Sequence, residues 1–133
     1  MNSAIELHDS TLTTTETNDR GLVVHLAEVY IHRSEGDPGR DPGSVWLQDI
    51  DLVVSEAVVE SSVRQLPCWL ADGALSVDAT CWSNVIPLPL SASGVVSLAA
   101  TTEFGEQLRI RGTSVEAVPR SEPEYGWPFP DSP

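Results

Sequence analysis

Residues 8–33 read HDSTLTTTETNDRGLVVHLAEVYIHR and contain two β-strand patterns on either side of a turn. Thr, Val, Leu and Ile dominate both patterns, and such residues favour strands. Between them lies Asn18-Asp19-Arg20-Gly21, in which Asn, Asp and Gly tolerate the positive φ angles of a tight hairpin turn. We therefore predict an antiparallel hairpin of residues 8–17 and 22–33. The second strand has a mixed apolar pattern, which indicates burial on both faces or a β-bulge.

The rest of the chain repeats this alternation of short strands and turns. Two Asp-Pro-Gly units mark residues 34–44 as a long loop, because Pro and Gly supply the backbone angles of turns. Residues 57–65 fit either a short helix or an edge strand. Further strands are predicted at residues 45–56, 74–82, 86–90, 95–104 and 107–118, with tight turns at residues 71–73 and 105–106.

Frequent turn signals and the lack of an ordinary amphipathic helix define the predicted fold class. We predict an all-β, single-domain antiparallel sandwich or small barrel of about six or seven strands, with at most one short helix. Residues 1–120 form the single antiparallel β domain, and residues 121–133 form a proline-rich C-terminal tail without regular structure. The aromatic residues of this tail dock either on the domain or on a partner, and we favour docking on the domain.

Charge excludes several classes of function. The chain has 20 acidic residues against 7 basic ones, a net charge of −13, and every basic residue is an arginine. Without lysine there is no side-chain Schiff base and no phosphate-loop lysine. Without clustered cations the chain is not expected to bind nucleic acid, because that affinity comes from releasing counterions. The acids are spread over the whole sequence, as on a solvated surface.

Compartment and redox state follow from other sequence features. The N-terminus, MNSAIELHDS, has no basic region and no long apolar run, so we predict no signal peptide and a cytoplasmic location. No stretch approaches the roughly 20 apolar residues of a membrane span. Cys68 and Cys81 fit one disulfide or two buried thiols, and a cytoplasmic location favours the thiols.

The predicted hairpin brings histidines to one place. With the turn at residues 18–21, His8 lies opposite Ile31 or His32, which depends on an unbroken register. His8, Asp9 and His32 then converge at one edge of the sheet, whereas His25, in mid-strand, is expected at the surface or rim.

This edge adjoins the loop that carries Asp37 and Asp41. The cluster is either a metal or ligand site, or a hydrogen-bonded group that anchors the long loop. Zinc requires three or four ligands at fixed distances, and calcium requires denser oxygen ligands than these two aspartates provide. We therefore favour the anchoring group and predict no bound metal and no cofactor.

The sequence does not indicate an enzyme. His8, Asp9 and Ser10 are the residue types of a hydrolase triad, but neighbours on a strand point to opposite faces. The chain also lacks a Gly-x-Ser-x-Gly elbow. Trp69, which follows Pro67-Cys68, is expected to pack over an open end of the fold.

Three sequence runs carry a resemblance to other proteins. IELHDSTL at residues 5–12, GLVVHL at 21–26 and VYIHRS at 29–34 resemble a group of small uncharacterised bacterial proteins that open with a His-Asp-Ser strand and a hairpin. WLQD at residues 46–49 and Asp72-Gly73 add a looser similarity.

The resemblance implies a small all-β domain in which His8, Asp9, Tyr30 and His32 are the most characteristic positions. The role of this group is unknown, but similar His-Asp-Ser openings occur in some families of immunity proteins from bacterial toxin systems, so toxin neutralisation is one function to consider.

Two functions remain open at this stage. The first is a non-catalytic binding module whose acidic surface attracts a basic protein partner, such as a toxin. The alternative is a small-ligand or metal-binding β-barrel that uses the edge formed by His8 and His32. The predicted interaction site consists of His8, Asp9, Tyr30, His32, Asp37, Asp41 and Trp46.

Overall fold

The structure, a computed structural model, describes residues 1–130 and is built from strands alone in that range, so the all-β prediction is confirmed. Residues 1–130 include no helix that is long and apolar enough to cross a membrane. The strands are β1 (Asn2–Glu6), β2 (Thr11–Asn18), β3 (Gly21–Ser34), β4 (Gly43–Ser55), β5 (Val58–Ser61), β6 (Cys68–Val77), β7 (Thr80–Ser83), β8 (Val85–Leu88), β9 (Ser91–Thr102), β10 (Gln107–Pro119) and β11 (Glu124–Phe129).

Six of the strands close into an antiparallel barrel in the order β2-β3-β4-β10-β9-β6. The ring closes where β2 pairs with β6, through Thr11 opposite Trp69 and Leu12 opposite Cys68. Of the two predicted architectures, the molecule therefore has the barrel. Closure pairs the edges of the six-stranded sheet, which would otherwise leave backbone donors and acceptors exposed.

Strands β3 and β4 continue beyond the barrel and form the centre of a second, five-stranded layer. The first half of β3 pairs with β2, and its second half pairs with β1. Strand β8 adds to β1, and β11 adds to the far side of β4, which gives the order β11-β4-β3-β1-β8. The remaining short strands, β5 and β7, lie at the edges of β10 and β6.

A bulge in the middle of β3 joins the barrel to this extension. The register with β4 shifts between Leu26 and Val29, and Glu28 has a φ of 54°. The main-chain N–H of Glu28 donates to Asp49 Oδ1 at 3.1 Å. Residues 27 and 28 lie opposite the single residue Asp49, so β3 has one extra residue here. The extra residue exchanges the faces of the strand, so that even-numbered positions are in the core before the bulge and odd-numbered positions after it. The bulge predicted from the mixed pattern is confirmed.

Aliphatic side chains fill the core. Leu12, Ile50, Leu75 and Ile110 come from four barrel strands and are completely buried. Burial of each such side chain stabilises the fold by about 1.5–3 kcal/mol relative to exposure. Barrel closure thus depends on one continuous apolar interior.

The predicted turn at residues 71–73 is wrong, because these residues lie inside β6. A Cβ on Gly73 would stand 2.7 Å from Leu7 Cδ1, so this glycine permits close packing and not a change of chain direction. The real turn follows Val77: Asp78 has a φ of 53°, and its carboxylate accepts the N–H of Val95 at 2.8 Å. The predicted strand at 74–82 is therefore a hairpin of β6 and β7.

The structure also decides between the two alternatives for residues 57–65 and corrects the prediction for the tail. Within residues 57–65 the structure has the edge strand β5 and not a helix. The tail was expected to lack regular structure, but residues 124–129 form strand β11, so that expectation is wrong for these residues. Strand β11 pairs with β4, which confirms that the tail docks on the domain. Residues 131–133 of the predicted tail lie outside the described residues.

The two cysteines are not bonded to each other. Cys68 is buried and Cys81 is exposed, so the prediction of buried thiols holds for Cys68 and is wrong for Cys81. Burial, with Glu103 and Glu106 nearby, raises the pKa of the Cys68 thiol. Cys68 is therefore an unreactive packing residue at neutral pH.

The first hairpin provides a test of the fold. Gly21 has a φ of 130°, and a Cβ there would lie 2.3 Å from the carbonyl oxygen of Val54. We expect Gly21→Ala to lower the free energy of unfolding by at least about 2 kcal/mol, because neither backbone can move without breaking the ladder. Urea unfolding followed by tryptophan fluorescence measures this loss.

Gly105→Ala is the matched control. Gly105 also has a positive φ, of 80°, but nothing lies within 4 Å of its Cβ position. Its alanine variant should lose only about 1 kcal/mol, the cost of the backbone conformation alone. Equal losses in the two variants would contradict the close approach of the hairpin turn to β4.

Candidate functional site

Glu6, at the end of β1, lies between two histidines. Its Oε1 is 2.9 Å from His32 Nε2, and its Oε2 is 3.6 Å from His8 Nδ1. Asp9 adds a second carboxylate, with Oδ2 3.4 Å from His8 Nδ1. His8, Asp9 and His32 therefore do come together, but through Glu6, which the sequence analysis did not single out.

The predicted register between His8 and His32 is wrong. Residue Ala4 lies opposite His32, because the ladder between β1 and β3 ends at Glu6. Residues 7–10 then leave β3 in a turn in which Asp9 has a φ of 67°. The main-chain N–H of His8 donates to Asn84 Oδ1 at 2.7 Å, which fixes this turn against the end of β7. His8 reaches Glu6 from this turn and not from a paired position.

His32 is the buried member of the cluster and is 5% exposed. Its Nδ1 has no hydrogen-bond partner within residues 1–130. The ring stands edge-on to Phe129 of β11, with centroids 5.1 Å apart. The pKa of Glu6 is lowered from its ordinary value of 4.5, mainly by the hydrogen bond with His32. The charges of His32 and His8 lower it further, whereas burial opposes the shift.

Tyr30 lies on the same face of β3 as His32. Its ring packs edge-on against Trp127 of β11, at 5.3 Å between centroids. Burial, and then the charges of Asp9, Glu6 and Glu28, raise the pKa of Tyr30. Tyr30 also lies directly opposite Glu6 in the ladder between β1 and β3.

The two loop aspartates do not join the histidines. Asp41 Oδ2 accepts the main-chain N–H of Asp37 at 2.7 Å, which closes the loop on itself. Ser34 Oγ, in turn, donates to the carbonyl of Pro42 and accepts the N–H of Gly36. Asp37 and Asp41 are thus placed in the loop that lies over the sheet, and neither carboxylate bonds to a histidine within residues 1–130.

Trp46 lies on the other face of the sheet. It pairs with Ile31, next to His32 along the strand, and therefore points away from the histidine cluster. Its indole N–H donates to Ser44 Oγ at 2.9 Å, and the guanidinium of Arg33 lies 4.5 Å from its ring centroid. The structure therefore does not bring Trp46 together with the histidines of the predicted site.

His25 forms a second polar cluster that sequence reasoning missed. Its Nδ1 lies 2.6 Å from Asp51 Oδ1, and its Nε2 lies 2.8 Å from Glu16 Oε1. Asp51 is buried and also bonds Arg120, whose guanidinium donates to the carbonyl of Leu26 at 3.0 Å. His25 was expected only at the surface or rim, but it belongs to a hydrogen-bonded network. Through Asp51 this network holds Arg120, in the segment before β11, against β3 and β4.

A bound metal ion would need several donor side chains arranged around one point. Within residues 1–130 no group of three or more His, Cys, Asp or Glu side chains is disposed to hold a metal ion.

An exposed apolar surface lies beside the His8 turn. The N–H of Asp9 donates to the carbonyl of Leu70, and the N–H of Glu103 donates to the carbonyl of Trp69, both at 2.9 Å. Trp69 thus lies between the turn of His8 and Asp9 and the turn that carries Glu103 and Phe104.

Large apolar side chains remain in solvent at this end of the barrel. Trp69 is 60% exposed, Phe104 50% and Leu66 37%. We call this the barrel-end surface, consisting of His8, Asp9, Leu66, Trp69, Glu103 and Phe104. Trp69 was predicted to pack over an open end of the fold. It does lie at one end of the barrel, with most of its side chain exposed.

A cavity of about 580 Å³ lies on another part of the molecule, between the 36–40 loop and strand β8. Trp82, Val85 and Leu88 provide an apolar wall, and neither His8 nor His32 lines it. Its volume is in the range of small-ligand pockets, about 300–1,000 Å³.

The chain matches no protein-family model, and comparison with curated proteins and with solved structures found no match.

Replacing the central carboxylate tests the histidine cluster. Because the folded-state pKa of Glu6 is lowered, its ionised form stabilises the protein above about pH 4.5, and this contribution is lost as the pH falls through the folded-state value. We expect Glu6→Gln to lower the free energy of unfolding at pH 7 by about 1 kcal/mol. The difference from the parent protein should shrink below pH 4.5.

Glu122→Gln serves as the control, since Glu122 is exposed. Urea unfolding of all three proteins from pH 3 to 8 gives the comparison. A loss in Glu6→Gln that stays constant with pH would show that the carboxylate charge has no part in the stabilisation.

Proposed function

We propose that this chain is a non-catalytic interaction module that binds a basic segment of a partner protein on the barrel-end surface. The observation that carries this proposal is the exposure of Trp69, Phe104 and Leu66 beside acidic side chains. Large apolar side chains that are exposed at one end of a fold are typical of interaction sites. Tryptophan in particular contributes strongly to the affinity of interfaces.

The local charge supports a basic partner. Asp9 and Glu103 lie on the two turns that flank Trp69, and Glu103 Oε2 accepts the main-chain N–H of Trp69 at 2.8 Å. Arg64 lies on the neighbouring loop, where its main-chain N–H bonds Glu106. An exposed indole beside carboxylates suits a lysine or arginine, because the ring face attracts a cation and the carboxylates neutralise it.

The buried position of Ser10 supports a non-catalytic role. Its hydroxyl donates to the carbonyl of Glu6 at 3.1 Å, and the residue has no exposed surface. It therefore lacks the access to substrate that a nucleophile needs beside His8. The alternative of a small-ligand barrel using the His8 and His32 edge has less support, because neither histidine lines the 580 Å³ cavity.

A toxin domain is the basic partner that the resemblance to immunity proteins favours. An immunity protein must bind quickly and tightly, and a net charge of −13 accelerates association with a basic toxin by electrostatic steering. In this proposal the barrel-end surface covers a basic segment of the toxin, and the protein acts in the cytoplasm.

Peptide display tests the proposal without knowledge of the partner. We expect a library of random twelve-residue peptides, selected on the immobilised protein, to enrich sequences that combine Arg or Lys with an apolar residue. The affinity of the enriched peptides should fall at least about tenfold in Trp69→Ala, the change typical of a central interface residue. Isothermal titration measures it.

Charge variants of exposed residues provide the controls. Glu103→Gln should weaken binding about threefold and Arg64→Glu should strengthen it by a similar factor, the size of one exposed charge pair. Raising the salt concentration should reduce all affinities. Selection of acidic peptides, or full affinity in Trp69→Ala, would overturn the proposal.

A further inference from the structure

We propose that the cavity beside β8 binds a free α-amino acid with a large apolar side chain. This site is separate from the barrel-end surface and does not depend on the proposed protein partner. Two features on its walls determine the ligand class: an apolar surface of ligand size, and one pair of opposite charges at the rim, Asp37 and Arg40.

The apolar part of the cavity is built on rigid strands. Trp82 of β7 packs against the hydrophobic core on one side and lines the cavity on the other. Val85 and Leu88 come from β8, which pairs along β1. Because the core already fixes this wall, an aromatic or aliphatic side chain can bind to it with little loss of conformational entropy in the protein.

The side chains of the rim pair make none of the hydrogen bonds found in the loop within residues 1–130. The loop is closed by Asp41 Oδ2, which accepts the N–H of Asp37, and by Asn2 Nδ2, which donates to the carbonyl of Gly36 at 2.7 Å. The carboxylate of Asp37 and the guanidinium of Arg40 contact only each other among residues 1–130, at 3.8 Å. That distance is long for a charged hydrogen bond, so both groups keep free donors and acceptors.

A zwitterion complements this pair better than a single charge does. The ammonium and carboxylate of an α-amino acid are attached to the same carbon, so they can face a carboxylate and a guanidinium that lie side by side. A simple anion would be repelled by Asp37, and a simple cation would be repelled by Arg40. The apolar side chain of the amino acid would then lie along Trp82 and Leu88.

Nuclear magnetic resonance of the four tryptophan indole groups offers a direct test. The signal of Trp82 is assigned from its loss in Trp82→Phe. We expect L-phenylalanine to shift the Trp82 indole signal in a saturable manner and to leave the signal of Trp69, at the barrel end, unchanged. Two matched probes lack one charge each: 3-phenylpropionate has no ammonium, and phenethylamine has no carboxylate.

L-Phenylalanine should bind about threefold more tightly than either probe, as expected for one exposed charge pair. In Arg40→Gln this advantage over phenethylamine should disappear, and in Asp37→Asn the advantage over 3-phenylpropionate should disappear. Both side chains are exposed, and unchanged signals from the other tryptophans confirm that the variants fold. An unmoved Trp82 signal, or equal binding of all three compounds, would overturn the inference.

Discussion

The structure depends on the bulge in β3 at residues 27–28. Without its one extra residue, the strand that carries Leu26 into the barrel core would turn Val29 and Ile31 toward solvent. With it, one strand closes the barrel and then supports a second layer through β1 and β4. The hydrogen bond from Glu28 N–H to Asp49 fixes the bulge, so a local irregularity determines which residues reach each face.

The turns of the fold could be predicted from the sequence only where the residue type itself determines the backbone conformation. Turn chemistry located the hairpin at Gly21 and that at Gly105, because both turns require unusual backbone angles that glycine tolerates. It failed at Gly73, where glycine serves close packing against Leu7. It also missed the turn at Asp78, a non-glycine residue whose positive φ is supported by a contact with Val95 far along the chain.

Site prediction failed wherever it relied on an uninterrupted register. The assumption that His8 faces His32 counts residues across a ladder that ends at Glu6, so it placed the wrong pair opposite each other. The chemistry of the region was nevertheless predictable, since histidine and aspartate do gather there. Glu6 was missed because a carboxylate between two imidazoles is recognisable only when two strands and a turn are positioned together. Docking of the tail on the domain was predicted correctly, but its prolines concealed that the tail docks as a β-strand along β4.

The net charge of −13 gains meaning only when the acids are sorted by what they contact. Asp51 is compensated by Arg120 and His25, and Glu6 by two histidines, so these carboxylates serve the fold. Glu103 is exposed and lies among exposed apolar side chains, where it would face the proposed partner. The composition alone could not distinguish these cases, because a buried network and an exposed surface use the same residue types. The acids that the proposed binding would use are therefore those that lie beside the exposed rings of Trp69 and Phe104.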